Sequence, residues 1–331
     1  MVRAARGFTL LEMVVVLAIL ALLATVAVRS LDGQLDQSKY DATIIGMQNI
    51  QDAVIGSANQ RAPDGTRLIT GFAADMGRLP KATQVTVGGV AQLQLQELWD
   101  NPNGLAPFGI KQAIPANIAN PVAGVAPIGD EDDTVFVPCG WRGPYLRLNI
   151  GQTTLADGWG NPFEFLKKDR TPITAATDEV SIIRSLGQDN VSNNSLTNDY
   201  REDLYLNFNT NQFLGTATPP DYPAVAASDS YHASPLQVAV KNADGSNFAA
   251  GLTITLKYFG PDPATGKIKV ITAIAPPTDA TTGSQVNFTL SDDAITIGPR
   301  ILRAYQTSTG KKSGATRVIL APNGNLQDVL F

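Results

Sequence analysis

The sequence predicts an α+β fold: a long N-terminal transmembrane and amphipathic helix packs on a small antiparallel β-sheet head, and an all-β sandwich follows. Three observations support this fold. An apolar run at residues 8–28 passes into a stretch with helical spacing that continues to about residue 58. Short aromatic or aliphatic runs bracketed by turn residues occupy residues 59–214. Longer β-rich runs, separated by pairs such as Asp-Gly and Asn-Gly, occupy residues 231–331.

The amino-acid composition excludes several classes of function for this chain. The chain has 331 residues, of which 44% are hydrophobic, so it can bury the cores of two ordinary domains. The net charge of -5 argues against nucleic acid as a partner, because phosphate binding requires clustered Lys and Arg. Cys139 and His232 are the single cysteine and histidine, which excludes an intramolecular disulfide, a His-based triad and a multi-His metal site. We expect Cys139 to be a small buried hydrophobe. No nucleophile elbow, HExxH motif or Gly-rich phosphate loop occurs, so the sequence does not predict an enzyme.

The apolar run at residues 8–28 has about the length that spans the hydrocarbon core of a bilayer. Arg3 and Arg6 precede it, which favours a cytoplasmic N-terminus and export of the rest of the chain. A cleaved secretory signal, with a cleavage site at residues 25–27, and a plain anchor are two alternatives. Neither explains Glu12, because a carboxylate deep in lipid costs about 2.5–3.5 kcal/mol.

The residues Arg6-Gly7-Phe8-Thr9-Leu10-Leu11-Glu12 resemble the leader and cleavage site of type IV pilins and type II secretion pseudopilins. The resemblance implies a leader peptide at residues 1–7, cleavage between Gly7 and Phe8 by prepilin peptidase, and N-methylation of Phe8. It also implies that Glu12 neutralises the ammonium of Phe8, on its own or a neighbouring subunit, inside inner membrane lipid. The expected location is the inner membrane, with a single pass and with the head in the periplasm.

From Arg29 onward the sequence becomes amphipathic, and one helix is predicted for residues 8–58 with its outer half packed on the head. Two adjoining apolar stripes lie at helical spacing, the first formed by Leu31, Leu35, Ala42 and Ile45 and the second by Ile44, Met47, Gln51 and Val54.

Five segments of the head combine turn residues with short apolar runs: residues 75–80, 93–99, 143–146, 157–165 and 185–189. In this order they resemble the head of the major pseudopilin of type II secretion. The resemblance covers roughly residues 6–208, and its most specific pieces are Asp-Gly-Trp-Gly-Asn-Pro-Phe and Ser-Leu-Gly-Gln-Asp. Extra sequence before Asp75 and an insertion at residues 101–138 depart from that family.

In that family the loop after the Ser-Leu-Gly-x-Asp piece binds calcium, which takes six to eight oxygen ligands. The resemblance implies calcium here, with Asp189, Asp199, Asp203 and the carbonyl of Leu186 as ligands. The alternative is an Asx-rich turn that caps its own backbone. The acidic run at residues 130–133 is interpreted as a solvated loop, with a second cation site as its alternative.

Residues 215–230 are rich in Pro, Ala, Thr and Ser and are predicted to be a linker to the domain at residues 231–331. The alternation of Leu252, Ile254, Leu256 and Tyr258 with polar residues predicts one buried and one solvated face. Asp244-Gly245 loosely resembles carboxypeptidase regulatory-like or immunoglobulin-like sandwiches. Six strands are predicted, at residues 236–240, 252–258, 267–273, 286–290, 301–305 and 317–320.

These observations favour a pilin-like structural subunit of a type II secretion or related envelope filament. The expected partners are prepilin peptidase, other pilin-like subunits, membrane lipid and the secretion machinery. One alternative is an adhesin or ligand-binding pilin, which an exposed aromatic or apolar patch on the sandwich would favour. Another is an envelope enzyme with a cleaved secretory signal.

Overall fold

The structure is a computed structural model. The predicted leader at residues 1–7, Phe8, the acidic run at 130–133, Asp199 and the predicted linker at 215–230 lie outside the residues that it describes. It describes residues 10–57, 59–60, 69–102, 104–109, 111–113, 134–175, 178–192, 200–208, 212–214, 235–249, 252–275, 285–292, 295–306, 311–320 and 325–331.

One helix, α1 (Leu10–Ile55), contains 46 residues and supports the head along its C-terminal part. Met47 and Val54 of the second predicted stripe are fully buried against the head. Leu35 and Ile45 of the first stripe are exposed, because a single head covers only one side of the helix. Within the described residues, no helix has an apolar stretch that is long enough to cross a membrane. The predicted run, residues 8–28, extends beyond the described side chains at both ends.

The head begins with a short buried helix, α2 (Gly71–Met76), and continues through two hairpins into an antiparallel sheet. The first hairpin pairs β1 (Thr83–Val87) with β2 (Val90–Gln94), and a 3-10 turn at Gln96–Leu98 follows. The second pairs β3 (Lys111–Ala113) with β4 (Thr134–Phe136), inside the predicted insertion. The sheet has sequential order, formed by β5 (Glu164–Leu166), β6 (Ile182–Ser185), β7 (Leu204–Asn207) and β8 (Gln212–Leu214).

The C-terminal region is a sandwich of two sheets, and the α+β fold class is therefore confirmed. One sheet has the order β11-β10-β13-β14 and the other the order β12-β9-β15, in which β9 and β15 are parallel. The strands are β9 (Leu236–Lys241), β10 (Ile254–Pro261), β11 (Ile268–Ala275), β12 (Gln285–Leu290), β13 (Gly298–Gln306), β14 (Thr316–Leu320) and β15 (Asn325–Leu330).

All six predicted strands of the sandwich are found, and β15 was not predicted. Its sequence follows an Asn-Gly pair, but Gln327 and Asp328 interrupt the alternation that would have indicated a strand.

The predicted solvated face of β10 is wrong. Thr255 and Lys257 expose 1% and 2% of their surfaces, so both faces of this strand are buried. The head covers the second face through Val135, Val137 and Cys139, which pack in one cluster with Phe259, Ile301 and Tyr305. Cys139 is buried, as predicted, and burial raises the pKa of its thiol to about 11.

The head also contacts one end of the sandwich, at the end of β10 and the start of β13. A Cβ on Gly298 would lie 2.6 Å from the carbonyl oxygen of Ala74 in α2. The amide of Ala106 donates a hydrogen bond of 3.1 Å to the carbonyl of Gly266. Buried apolar side chains of α1, the head and the sandwich consequently form one continuous core, which includes residues from Met47 to Val329.

Candidate functional site

The N-terminal part of α1 presents apolar side chains to its surroundings. Leu10, Leu17 and Leu22 each expose more than half of their surface, and residues 10–25 are exposed throughout. Glu12 lies in the first turn of α1 and is the one charged residue of this segment. An apolar surface of this length requires lipid or another protein to cover it.

The two most specific pieces of the head are hydrogen-bonded to each other. The hydroxyl of Ser185 donates to Oδ2 of Asp157 at 2.8 Å, and Nδ2 of Asn161 donates to the carbonyl of Gly187 at 3.0 Å. The other oxygen of Asp157 accepts the backbone amides of Trp159 and Asn161 and fixes the turn. The pieces are distant in sequence and form a single structural unit.

The same turn contacts α1 directly. The amide of Gly158 donates to Oγ1 of Thr43 at 2.8 Å, and this hydroxyl donates to the carbonyl of Lys39 at 2.9 Å. Thr43 is buried, although it lies in the middle of a mostly exposed part of the helix. The turn at residues 157–161 therefore fixes the head at one height along α1.

The loop that follows Ser185 contacts α1 about one turn closer to its N-terminus. Nε2 of Gln188 donates to Oδ2 of Asp36 at 3.2 Å, and the hydroxyl of Tyr200 donates to Oε1 of Gln37 at 2.8 Å. The ring of Tyr200 also lies 5.9 Å from that of Tyr40 in an edge-to-face arrangement. Residues at both ends of the predicted calcium loop therefore contact α1.

Among the predicted calcium ligands, Asp203 has the most informative surroundings. Its side chain is 2% exposed, and Oδ2 accepts a hydrogen bond of 3.2 Å from the hydroxyl of Tyr205. Oδ1 is buried and has no hydrogen-bond partner among the described residues. Burial raises the pKa of the Asp203 carboxyl to about 6, although Arg184, 3.6 Å away, opposes this shift.

Two further carboxylates, Glu164 and Asp189, lie close enough to raise the pKa of Asp203 by charge repulsion. Nε of Arg184 donates to Glu164 at 2.9 Å, so part of the negative charge is already neutralised. Glu164, Arg184 and Tyr205 are cross-strand neighbours on β5, β6 and β7. Sequence reasoning did not find this arrangement, because it depends on the register of three strands.

Within the described ranges, no group of three or more His, Cys, Asp or Glu side chains could hold a metal ion. The predicted ligand atoms are carboxylate and carbonyl oxygens, which suit a hard cation such as calcium. The buried Oδ1 of Asp203 is the atom that a cation would satisfy, since an unpaired buried carboxylate oxygen is costly. Calcium ligation by Asp203, Asp189 and the carbonyl of Leu186 stays a prediction.

Residues 2–28 match the prokaryotic N-terminal methylation motif, and this stretch contains Gly7, Phe8 and Glu12. The chain has no significant match among curated proteins or among solved structures. The motif implies processing by prepilin peptidase and assembly with pilin-like subunits. It also implies anchoring in the inner membrane through the N-terminal helix before assembly, with the head outside the cytoplasm. Proteins that carry this motif are typically structural and not enzymatic.

Proposed function

We propose that this chain is a pseudopilin-like structural subunit of a type II secretion or related envelope filament, assembled through α1. The observation that carries the proposal is the passage of the methylation motif into one helix, of which the first part is exposed and apolar and the last part is buried in the head. The C-terminal part of this helix packs on its own head. The N-terminal part is exposed and can contact lipid before assembly and neighbouring helices after assembly.

The exposed stripe on α1 supports this division. Leu35 and Ile45 expose 59% and 56% of their surfaces on the side of α1 that the head leaves uncovered. Both residues follow the exposed apolar segment of residues 10–25 along the same helix. A neighbouring subunit in a filament would cover them together with that segment.

Glu12 acts in this proposal as the residue that sets axial register. Its carboxylate lies in the first turn of α1, and Glu12 follows Phe8 by four residues in the sequence. In lipid the two charges neutralise each other, and a subunit displaced along the filament axis would lose this pairing.

The assignment to type II secretion is supported by the unit formed by the turn at residues 157–161 and the loop after Ser185. We propose calcium ligation in this loop by Asp189, Asp199, Asp203 and the carbonyl of Leu186. Bound calcium would supply the positive charge that Oδ1 of Asp203 lacks. Because Gln188 and Tyr200 at the two ends of the loop hydrogen-bond to α1, an ordered loop also fixes the head on the helix.

The decisive experiment is N-terminal peptide mass spectrometry of the protein isolated from its native membrane, combined with Glu12→Ala. We expect a mature chain that begins with N-methylated Phe8. The Glu12→Ala variant should be processed and should not enter filaments sheared from the cells. Asp52→Ala, which removes an exposed carboxylate from the same helix, is the matched control and should assemble normally.

A chain that begins near Val28 would indicate an ordinary secretory signal and would contradict the proposal. Normal incorporation of Glu12→Ala would contradict only the role of Glu12 in register. The secretion machinery is identified as the partner if deletion of this chain stops export of folded cargo while membrane integrity is unchanged.

A further inference from the structure

The sandwich contains a pocket of about 340 Å³, which no part of the filament proposal uses. This volume lies at the lower end of the range for small-molecule sites, about 300–1,000 Å³. The pocket is lined by both apolar and polar side chains, from Asn242, Ala243, Asp244, Ser246, Phe248, Ala249, Leu252, Gln306, Lys311 and Phe331.

The pocket opens at the end of the sandwich that is opposite to α2. Leu252 lies two residues before β10, and Gln306 is the last residue of β13. Ala106 and Ala74 contact the other ends of these strands, at Gly266 after β10 and at Gly298, the first residue of β13. An eight-residue strand such as β10 is about 26 Å long. The pocket is therefore at the end of β10 and β13 that is opposite to the contact with α2, although the head also packs on Tyr305, which adjoins Gln306.

Two phenylalanines form the apolar part of the pocket. The rings of Phe248 and Phe331 lie 6.1 Å apart in an edge-to-face arrangement. Phe248 is buried, whereas Phe331 is partly exposed and lines the opening. The face of an aromatic ring carries partial negative charge and attracts C–H groups with partial positive charge.

The polar part of the pocket combines one acid, one base and two amides. Oδ1 of Asp244 accepts hydrogen bonds from the amide and the hydroxyl of Ser246, at 2.9 and 2.6 Å. These bonds, and to a smaller extent the charge of Lys311, lower the pKa of the Asp244 carboxyl, so it stays ionised near neutral pH. The ammonium of Lys311 lies 5.9 Å from the centroid of the Phe331 ring.

Asp244 and Lys311 give the lining one negative and one positive charge and no net charge. A neutral ligand with many hydroxyls could hydrogen-bond to both side chains. Nδ2 of Asn242 already donates to the carbonyl and the hydroxyl of Ser246, so this side chain offers its oxygen as an acceptor, and Gln306 adds a second amide to the lining. The ring of Phe331 is partly exposed, and the face opposite to Lys311 is the apolar surface for the C–H face of a sugar ring.

We propose that the pocket formed by Asp244, Phe248, Lys311 and Phe331 binds a neutral saccharide, with a sugar ring stacked on Phe331 and its hydroxyls on Asp244, Lys311 and the amides. The ligand would be met outside the cytoplasm, where the methylation motif places this part of the chain. Binding requires only the folded sandwich and is independent of filament assembly. The two proposals can therefore fail separately.

The test is saturation-transfer difference NMR on the full chain in a zwitterionic detergent that has no sugar headgroup. The probes are the methyl glycosides of glucose, galactose, mannose and N-acetylglucosamine. We expect at least one of them to bind with an affinity of about 1 mM, with the strongest transfer to the C–H protons of one ring face. Phe331→Ala should weaken this binding by about tenfold or more.

Phe136→Ala is the matched control, because Phe136 is an exposed phenylalanine of the head that does not line the pocket. It should bind the same glycoside as tightly as the unmodified chain. Lys311→Ala changes an exposed side chain and should weaken binding without unfolding the sandwich, which covers the case in which Phe331→Ala does not fold.

Three results would overturn the proposal. The first is that none of the four glycosides binds. The second is that Phe331→Ala and Lys311→Ala both bind as tightly as the unmodified chain. The third is that acetate or glycylglycine displaces the sugar, which would identify a pocket for charged ligands.

Discussion

Gly158 lies against the backbone of α1 so closely that a Cβ at this position would be 1.9 Å from the carbonyl oxygen of Lys39. The helix backbone cannot move away without losing the hydrogen bond from Gly158 to Thr43. This contact with the helix explains why Gly158, the first glycine of the Asp-Gly-Trp-Gly-Asn-Pro-Phe piece, has no side chain.

We expect Gly158→Ala to destabilise the head by about 2–3 kcal/mol, because the added methyl group must displace the turn from the helix. Urea unfolding monitored by tryptophan fluorescence measures this difference. Gly46→Ala is the control, since a Cβ at Gly46 has no atom within 4 Å and should stabilise the helix by about 0.5–1 kcal/mol. Equal effects of the two substitutions would show that the contact at Lys39 has no role in stability.

Asp203→Asn should have opposite effects with and without calcium. The folded protein favours the protonated carboxyl, because burial raises the pKa of Asp203 to about 6. Its contribution to stability is thus present below the ordinary pKa and is lost as the pH rises through about 6. Without calcium at about pH 7.5, Asp203→Asn should stabilise the chain by about 1 kcal/mol.

With calcium present, the unmodified chain should gain thermal stability at about pH 7.5 and gain little at about pH 5, whereas Asp203→Asn should gain little at either pH. Differential scanning calorimetry in calcium and in chelator measures both effects. Asp52→Asn is the control on an exposed carboxylate and should respond as the unmodified chain does. A calcium response that survives in Asp203→Asn would exclude Asp203 as a ligand.

Arg78 and Glu97 form a fully buried ion pair with two parallel hydrogen bonds of 2.8 Å. Glu97 also accepts the amide of Lys81 at 2.9 Å, so the pair connects the segment after α2 to the 3-10 turn. We expect Glu97→Gln to cost about 3–5 kcal/mol, because it leaves the guanidinium buried and unneutralised. The double variant Arg78→Met/Glu97→Leu should cost clearly less than the sum of its two single variants.

A double-mutant cycle measured by urea unfolding tests this coupling. The exposed pair of Lys241 and Asp328, also 2.8 Å apart, provides the comparison, and Lys241→Ala should change stability by about 0–1 kcal/mol. Additive effects at Arg78 and Glu97 would contradict the prediction.

Lys257→Met should stabilise the protein at neutral pH. Burial lowers the pKa of the Lys257 ammonium to about 8, and the side chain lies 5.7 Å from the Tyr305 ring centroid. In the part of the chain that the structure describes, no carboxylate forms an ion pair with it. The unfolded chain therefore binds this proton more tightly, and stability rises with pH between about 8 and 10.5.

The gain from Lys257→Met should be about 1 kcal/mol near pH 7 and should shrink as the pH approaches 10. Thermal melts across this pH range measure it. Lys312→Met, on an exposed lysine, is the control and should show no such trend. A gain that does not change with pH would show that packing and not charge is responsible.

Much of the fold could be predicted from sequence, because its signals are local. Breakers such as Asp244-Gly245 separate runs of β-branched residues, and six strands of the sandwich follow from them. The face of β10 was wrongly predicted, because Thr255 and Lys257 are polar and the pattern contains no sign that Val135 and Val137 pack against Phe259 of this strand. Burial of a polar face depends on a distant segment, which periodicity cannot reveal.

Some residues of the candidate site could be predicted from the sequence, and others could not. Asp189 and Asp203 could be proposed from the resemblance, since they lie within one loop of recognised sequence. Arg184 and Glu164 could not, because their pairing depends on the register between β5 and β6. The domain boundaries at residues 59, 215 and 231, and the ligand roles of Leu186, Asp189, Asp199 and Asp203, stay predictions.

The continuous core that joins α1, the head and the sandwich has a mechanical consequence. A load applied at the far end of the sandwich passes along β10 and β13 into the contact between Gly298 and Ala74, and from there into the helix. A helix of 46 residues is about 70 Å long, and the shared core connects it rigidly to the head and the sandwich. When such a helix moves along the axis of a filament, the sandwich must move with it.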